Sequence, residues 1–334
     1  MIKLFEGETA NQVWLEAATY LQDNETKVLT QASRSGMTRE ILHAAFSIQN
    51  PRQRWVVSRN PGISPAFAIA EVVWIMCGRN DAAFLTYWNP QLPKFVGTGA
   101  NLHGAYGYRL RQHFGLDQLE RAYLALHSSP DNRQVVLQIW DCNSDLPDEK
   151  GQAADADIPC NIVSVLKLRD NKLEWLQVMR SNDLFLGTPY NFIQFTTIQE
   201  VLAGWLGVGV GSYNHVSDSL HIYERDYGRA RLDVITEAQK NTDSLALSRS
   251  DSERVFTLLS SCFERMTNST LQEEELRSLV SSSDIPTPYT NLLLVVAAEA
   301  SRKRGWSETI NEFTSACTNP LLSQAWRAWA ARFV

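Results

Sequence analysis

The sequence predicts an α/β (α+β) chain whose last hundred or so residues are helical, and three observations carry that expectation. Gln134–Trp140, Asn161–Arg169 and Leu173–Arg180 are rich in β-branched, aromatic and other apolar residues and read as strands. Two stretches, Ala66–Cys77 and about Phe192–Leu206, are apolar enough to read as buried helices. Beyond about Arg231 the texture turns helical, which divides the chain into a first region, 1–230, and a helical region, 231–334.

Composition excludes several classes. With 334 residues and 44% apolar content, the chain is long enough to bury a core, so disorder and fibrous repeats are poor readings. A net charge of −6 gives no reason to expect a nucleic-acid partner. Apolar stretches such as Leu292–Ala298 fall far short of the roughly 20 residues that span a bilayer. The acids Glu6 and Glu8 stand where a secretory signal keeps its apolar region, so the expectation is a cytoplasmic protein without a membrane partner. Five scattered cysteines without a CxxC pair argue against a disulfide framework and against a zinc site; no metal is expected.

Taken in order, Trp14 to Ile48 is a mixed pattern with a basic turn at Ser33-Arg34-Ser35-Gly36. Ser64 is suited to cap the first apolar helix, Pro65 to open it and Gly78 to close it; its body carries one charge, Glu71. After the strand at 134–140 an acidic loop runs from Asn143 to Asp157. The strands 161–169 and 173–180 then form a hairpin about Asp170-Asn171-Lys172. The second helix ends at Gly207-Val-Gly-Val-Gly211, which follows a helix rather than a strand and so reads as a turn, not a dinucleotide loop. A further strand covers Ser219–Tyr223. Helices are expected at Ser252–Met266, Leu271–Val280, Tyr289–Arg304 and Leu321–Phe333, broken at Ser281–Pro288.

Several side chains suggest chemistry. A hairpin centred near Asp170 places Cys160 opposite Arg180, and a guanidinium beside a thiol favours the reactive thiolate; the other four cysteines read as small buried apolar residues. Glu71, in a helix apolar on every face, is either satisfied structurally or a carboxyl of raised pKa fit for acid–base work. Arg34, Arg133 and Arg180 beside turns are either solvated or converge on a phosphate. His221 and Tyr223 share one face of a strand, where they either hydrogen-bond a sugar hydroxyl or close the core. His215 has no G-x-S-x-G elbow to serve.

These pieces together resemble the thymidylate synthase family. Pro159-Cys160, then Arg180-Ser181-Asn182-Asp183-Leu-Phe-Leu-Gly187-Thr-Pro189-Tyr190-Asn191, then His221-Ile-Tyr223 are similar to that family's Pro-Cys nucleophile, Arg-Ser-x-Asp-x-x-Leu-Gly-x-Pro-Phe-Asn block and His-x-Tyr pair, with the family's spacing from Cys160 to Arg180. Ala70-Glu71-Val-Val-Trp74 is similar to its His-Glu-Leu-Leu-Trp helix, and Gly104-Ala-Tyr106-Gly-Tyr-Arg-Leu-Arg111 to its Gly-Pro-x-Tyr-Gly-x-x-Trp-Arg. The likeness covers roughly residues 30 to 225 and implies a three-layer fold on a mixed, largely antiparallel sheet, assembled as a homodimer.

The resemblance also implies roles. Cys160 would add to C6 of a pyrimidine nucleoside monophosphate, and 5,10-methylenetetrahydrofolate would supply the one-carbon unit joined to C5. Glu71 would manage proton transfers and Tyr106 would assist removal of the C5 proton. Arg34, Arg180 and Ser181 would hold the phosphate, joined by Arg133 from the other subunit. His221 and Tyr223 would hold the 3′-hydroxyl. Asn191 would pair with O4 and N3–H of uracil, although an amide can turn to suit cytosine. Asp183, Gly187 and Trp74 would lie on the cofactor side.

The chain also departs from the family's pattern. Asn161 stands where the family has His, Val165 where it has Gln, Gln134 where it has a second trans arginine, Asp157 where Leu is common and Pro93 where Trp is expected. The last residues, Trp329 to Val334, do not match the family's closing tail. Most of these changes fall on the cofactor side. A carboxylate such as Asp157 in place of apolar shielding would orient a water, which favours hydroxymethylation over reductive methylation. A catalytically inactive nucleotide-binding relative is the reading from another class.

Overall fold

The computed structural model describes residues 2–23, 28–33, 36–229 and 238–333. Its sheet grows from the hairpin. Asp170 and Asn171 adopt φ of 48° and 57°, the left-handed pair that a two-residue turn requires. They join β5 (Asn161–Arg169) to β6 (Lys172–Met179), with Arg169 opposite Lys172. Lys172 is thus a strand residue, not part of the turn. A register shift between Asn161 and Val163 restores the pairing expected from sequence, so that Arg180 N–H donates to the Cys160 carbonyl at 2.9 Å.

Around this hairpin lie β1 (Lys3–Gly7), β2 (Leu29–Ser33), β3 (Gly36–Ile48), β4 (Val136–Gln138), β7 (Asn182–Asp183) and β8 (Gly209–Tyr223). The main order is β1-β3-β8-β6-β5-β4, with β2 beside β3 and β7 beside β8. Pairings β1–β3, β6–β8 and β7–β8 are parallel and the others antiparallel, so the sheet is mixed. Alternation sorts the strands' faces. Leu166, Leu173, Trp175, Tyr213 and His215 point into the core, whereas Val163, Val165, Leu176, Val178 and Val216 point the other way and stay partly exposed.

The mixed pattern of residues 14–48 resolves into helix α1 (Ala10–Gln22), opened by a capping box of Thr9 and Gln12, and the long strand β3. Helix α2 (Pro65–Met76) follows the predicted signals: Ser64 Oγ accepts from Phe67 N–H at 3.2 Å and Gly78 has φ of 65°. Every residue of α2 except Glu71 is buried. It is apolar all round because it packs on α3 (Thr188–Leu206) and also on α4 (Arg249–Thr267), α6 (Thr287–Arg304) and α8 (Pro320–Ala330).

The last region holds two more helices, α5 (Glu273–Ser281) and α7 (Ser307–Ala316). Sequence pattern passes over α7 because only Thr309 and Phe313 of its ten residues are buried. One continuous hydrophobic core runs from Phe5 to Trp326, through both the sheet and these helices. Two features join them. Buried Arg54 pairs with Glu200, whose Oε1 accepts from Leu245 N–H at 3.0 Å. Gly204 has no Cβ to obstruct the crossing of Ala246–Leu247, whose backbone would lie 2.7 Å from one. No helix among the described residues is long and apolar enough to cross a membrane.

A similar close approach sets the position of Tyr106. A Cβ on Gly107 would collide with the backbone of Ile75 in α2. Gly107→Ala should therefore lower stability by about 1–3 kcal/mol, read as a drop in urea midpoint at unchanged m-value; an unaltered midpoint would show that α2 does not depend on this contact.

Candidate active site

Cys160 stands immediately before β5 and is partly exposed. Opposite it, Arg180 turns its guanidinium to the loop backbone: Nε donates to the Pro159 carbonyl at 2.9 Å and Nη2 to that of Ile158 at 3.0 Å. The same group lies over the Trp140 ring, 5.6 Å from its centre. Arg180 therefore holds the segment that presents the thiol.

Beside the thiol stands Tyr106. Its hydroxyl interacts with the Asn161 side chain and feels the fields of Cys160, Asp157 and Glu71. Burial above all, with those negative neighbours, pushes the phenol well above its ordinary pKa, so it stays protonated at neutral pH. Asn161 is fully buried and its Oδ1 accepts from Gln177 Nε2 at 2.9 Å, while Gln177 Oε1 takes Ser164 Oγ and Trp175 Nε1. Nδ2 of Asn161 has no well-aligned partner among the described residues.

Asp157 arrives from the acidic loop. Its Oδ2 accepts from Gly104 N–H at 2.8 Å, and a Cβ at Gly104 would lie 2.8 Å from the Asp157 carbonyl, so the two segments meet only because residue 104 is glycine. Burial raises the Asp157 pKa against that hydrogen bond. Glu71 reaches the same pocket from α2. Gln194 Nε2 donates to its Oε2 at 2.6 Å, yet burial dominates and pushes the carboxyl up to about 7. The Oε1 of Gln194, itself buried, has no partner among the described residues.

Sequence reasoning missed the supports. Arg109, fully buried, holds Asp145 through two bonds of 2.6 and 2.8 Å; His103 shares that carboxylate at 2.7 Å and flanks Gly104. Gln194 was legible in principle, since it follows Asn191 by three residues on one helix face. Trp14 Nε1 donates to the Leu184 carbonyl at 2.7 Å and Arg59 Nε to that of Phe185 at 2.7 Å, fixing the loop before α3. No periodicity in the sequence announces these long-range contacts.

Among the remaining expected residues, Asn191 is buried at the start of α3 and donates from Nδ2 to Asn182 Oδ1 at 3.2 Å. Gly187 sits under both, close enough that a Cβ would touch Asn182 Oδ1 at 3.3 Å. Asp183 Oδ1 accepts from Phe185 and Leu186 N–H, both at 2.8 Å, and Asp183 pairs along the backbone with His221. His221 and Tyr223 do share a face, with ring centres 5.5 Å apart. Ser181 links β6 to β7 and is half-buried. Trp74 is buried, its indole N–H donating to the Asp81 carbonyl at 3.2 Å. Arg133 is exposed just before β4. Arg34 lies outside the described residues.

The raised pKa of Glu71 has a consequence for stability. Its carboxyl holds a proton more tightly folded (about 7) than at the ordinary value of 4.5, so stability is greatest below about 4.5 and falls as pH rises toward 7. Glu71→Gln removes that loss. Relative to the parent, it should gain up to about 3 kcal/mol between pH 4 and pH 8, measured by urea midpoints at both; a difference that ignores pH would refute the protonated carboxyl.

Known proteins resemble this chain over much of its length. The family profile described as thymidylate synthase matches residues 29–268. Among curated relatives, a deoxyuridylate hydroxymethyltransferase of Bacillus phage SP01 is 35% identical over 241 residues, covering 67% of this chain and 60% of the relative. One of Pseudomonas phage M6 is 34% identical over 176 residues, 52% of this chain and 49% of the relative. A third, of Delftia phage PhiW-14, is 29% identical over 219 residues, 63% of this chain and 60% of the relative. The matched part thus spans half to three-fifths of these relatives' lengths. With more than half its length matched, and with Cys160, Tyr106 and Glu71 near one another, this chain belongs to the thymidylate synthase family.

Proposed function

We propose that the protein is a pyrimidine nucleotide C5 hydroxymethyltransferase acting on dUMP through a covalent adduct at Cys160. The observation that carries the reading is the gathering of Cys160, Glu71 and Asp157 about Tyr106, close enough for their charges to bear on its hydroxyl. The family's chemistry needs Cys160, Tyr106 and Glu71; Asp157 adds a carboxyl with raised pKa where that family keeps an apolar residue. The names of the phage relatives support the same substrate and product.

The pocket suits a nucleotide and a reduced folate in its polar atoms. Gln194 Oε1 is a buried acceptor without a protein partner among the described residues, which is the condition of a group that meets a ligand. Asp183 has one oxygen committed to its own loop, and the other, without a hydrogen bond among the described residues, would accept from a pterin N–H. Gly187 leaves room beside it, and Trp74, with its N–H engaged, offers only its ring. Bound 5,10-methylenetetrahydrofolate supplies a one-carbon unit at the methylene level.

The chain's own groups then act in turn. Cys160 Sγ bonds to C6, and the displaced electron pair makes C5 nucleophilic. C5 would then bond to the folate's methylene carbon; as the C5 proton leaves, served by Tyr106 and by Glu71 with a pKa near the working pH, the bond from that carbon to the folate nitrogen would break, releasing tetrahydrofolate and leaving an exocyclic methylene on C5. Asp157 takes a proton from a water as the water's oxygen bonds to the exocyclic methylene carbon. That electron pair passes through C5 and expels Cys160 Sγ from C6, which restores the C5–C6 double bond and the thiolate. Asn191 reads the base edge, Arg180 and Ser181 with Arg34 receive the phosphate, and His221 and Tyr223 hold the 3′-hydroxyl.

We assign the partner of the outer sheet face to a second copy of the chain. Val163, Val178, Val216 and Ala45 lie side by side across four strands, next to a row of Val136, Val165 and Leu176. Val136 and Leu176 are 50% and 37% exposed, an apolar strip that association would cover. Arg133, three residues before Val136, would reach the neighbour's phosphate site from there.

Two expectations test these readings. With methylenetetrahydrofolate, tritium should leave C5-labelled dUMP and the product mass should be that of hydroxymethyl-dUMP, whereas Cys160→Ala should lose release by several orders of magnitude and keep nucleotide binding. No release from any pyrimidine nucleotide would defeat the enzyme reading, and dTMP with dihydrofolate would replace hydroxymethylation by methylation. Leu176→Arg should convert a dimer to monomers in sedimentation and weaken dUMP binding; a parent that sediments as a monomer overturns the shared site.

A further inference from the structure

Behind Asn191 runs a buried hydrogen-bonded chain that none of the proposed catalytic steps uses. Asn191 Nδ2 donates to Asn182 Oδ1 at 3.2 Å; Asn182 Nδ2 lies 3.2 Å from His215 Nε2 and 3.1 Å from Ser217 Oγ; and His215 Nδ1 lies 3.0 Å from the Tyr213 hydroxyl. Every member is buried. We propose that the neutral tautomer of His215, relayed through Asn182, decides which pyrimidine Asn191 accepts, and that the Nδ1–H form selects uracil. The inference rests on the reading that Asn191 faces the base.

The argument is one of donors and acceptors. The two ends of an amide are nearly alike in shape, so only its hydrogen bonds select its orientation. With Asn182 Oδ1 toward Asn191, the latter must offer Nδ2 to it. Asn191 then presents its second N–H and its Oδ1 to the ligand, the complement of uracil O4 and N3–H. If Asn182 turns over, Asn191 must turn as well, and it then presents the complement of cytosine N4–H and N3.

The orientation of Asn182 in turn depends on what it meets. Ser217 does not choose, because a hydroxyl rotates to donate or accept. A neutral imidazole does choose, since only one of its nitrogens carries a proton. The surroundings keep His215 neutral: burial pushes its pKa down to about 3, and Phe46 and Phe192 pack edge-on against the ring at 5.9 and 5.7 Å. Nε2 accepts from Asn182 only when the proton is on Nδ1, and that proton then needs the Tyr213 oxygen.

The test has three parts. In the wild-type protein, ¹⁵N shifts of the His215 ring should show a protonated Nδ1 and a bare Nε2; the reverse pattern overturns the proposal without need of any variant. Tyr213→Phe removes the acceptor of Nδ1–H, so the proton should move to Nε2 and the kcat/KM ratio of dUMP over dCMP should fall by about tenfold or more. A shifted tautomer with an unchanged ratio also overturns the relay. Asn191→Asp should shift the ratio toward dCMP whatever the tautomer does; if it leaves the ratio unaltered, the base-reading assignment has failed, a result distinct from failure of the relay.

Discussion

Everything at the pocket depends on α2 being enclosed on every side. A helix covered by α3 on one flank and by α4, α6 and α8 on others buries every residue but Glu71, and that single charged residue has Gln194 as its hydrogen-bond partner. The cost of holding a carboxylate there is what lifts its pKa to about 7. The same enclosure brings the backbone of residue 107 against Ile75, a contact only glycine permits, and so sets Tyr106 beside Glu71. The C-terminal helices therefore bear on Glu71 by excluding water from the far side of α2.

The reactive groups are mounted on rigid supports that come from distant parts of the chain. Arg180 clamps the two carbonyls ahead of Cys160, and the Arg109–Asp145–His103 cluster steadies the turn carrying Gly104, on which Asp157 is hung. Trp14 and Arg59 pin the loop that leads into α3, so Asn191 and Gln194 enter the pocket at a set angle. Small shifts in such supports are costly to rate, because proton transfer needs heavy atoms within hydrogen-bond reach.

Much of this was legible in the residues, for identifiable reasons. The hairpin turn, the caps of α2 and its uniform apolarity are local signals, and local signals survive without tertiary context. Cys160 opposite Arg180 could be counted from the turn, although the true register is one residue different and a bulge restores the match. The isolated Glu71 announced a perturbed acid because desolvation follows from pattern alone. By contrast β3 and α7 were blurred, since their buried positions are sparse or interrupted by polar residues, and nothing local announces that Arg180 also binds the carbonyls of Ile158 and Pro159.

What the sequence by itself determined is the family: Cys160, Glu71 and Tyr106 stand in motifs whose spacing is specific, together with the unusual Asp157 and Asn161. What only the tertiary structure decided is the environment of those groups. Whether a carboxyl holds its proton, which groups Asn161 bridges, and what Asn191, Asn182 and His215 bond to depend on burial and on partners that are often tens of residues away. Solvation and hydrogen-bond geometry are properties of the space around a side chain, and that space is made by segments whose separation along the chain carries no local signal.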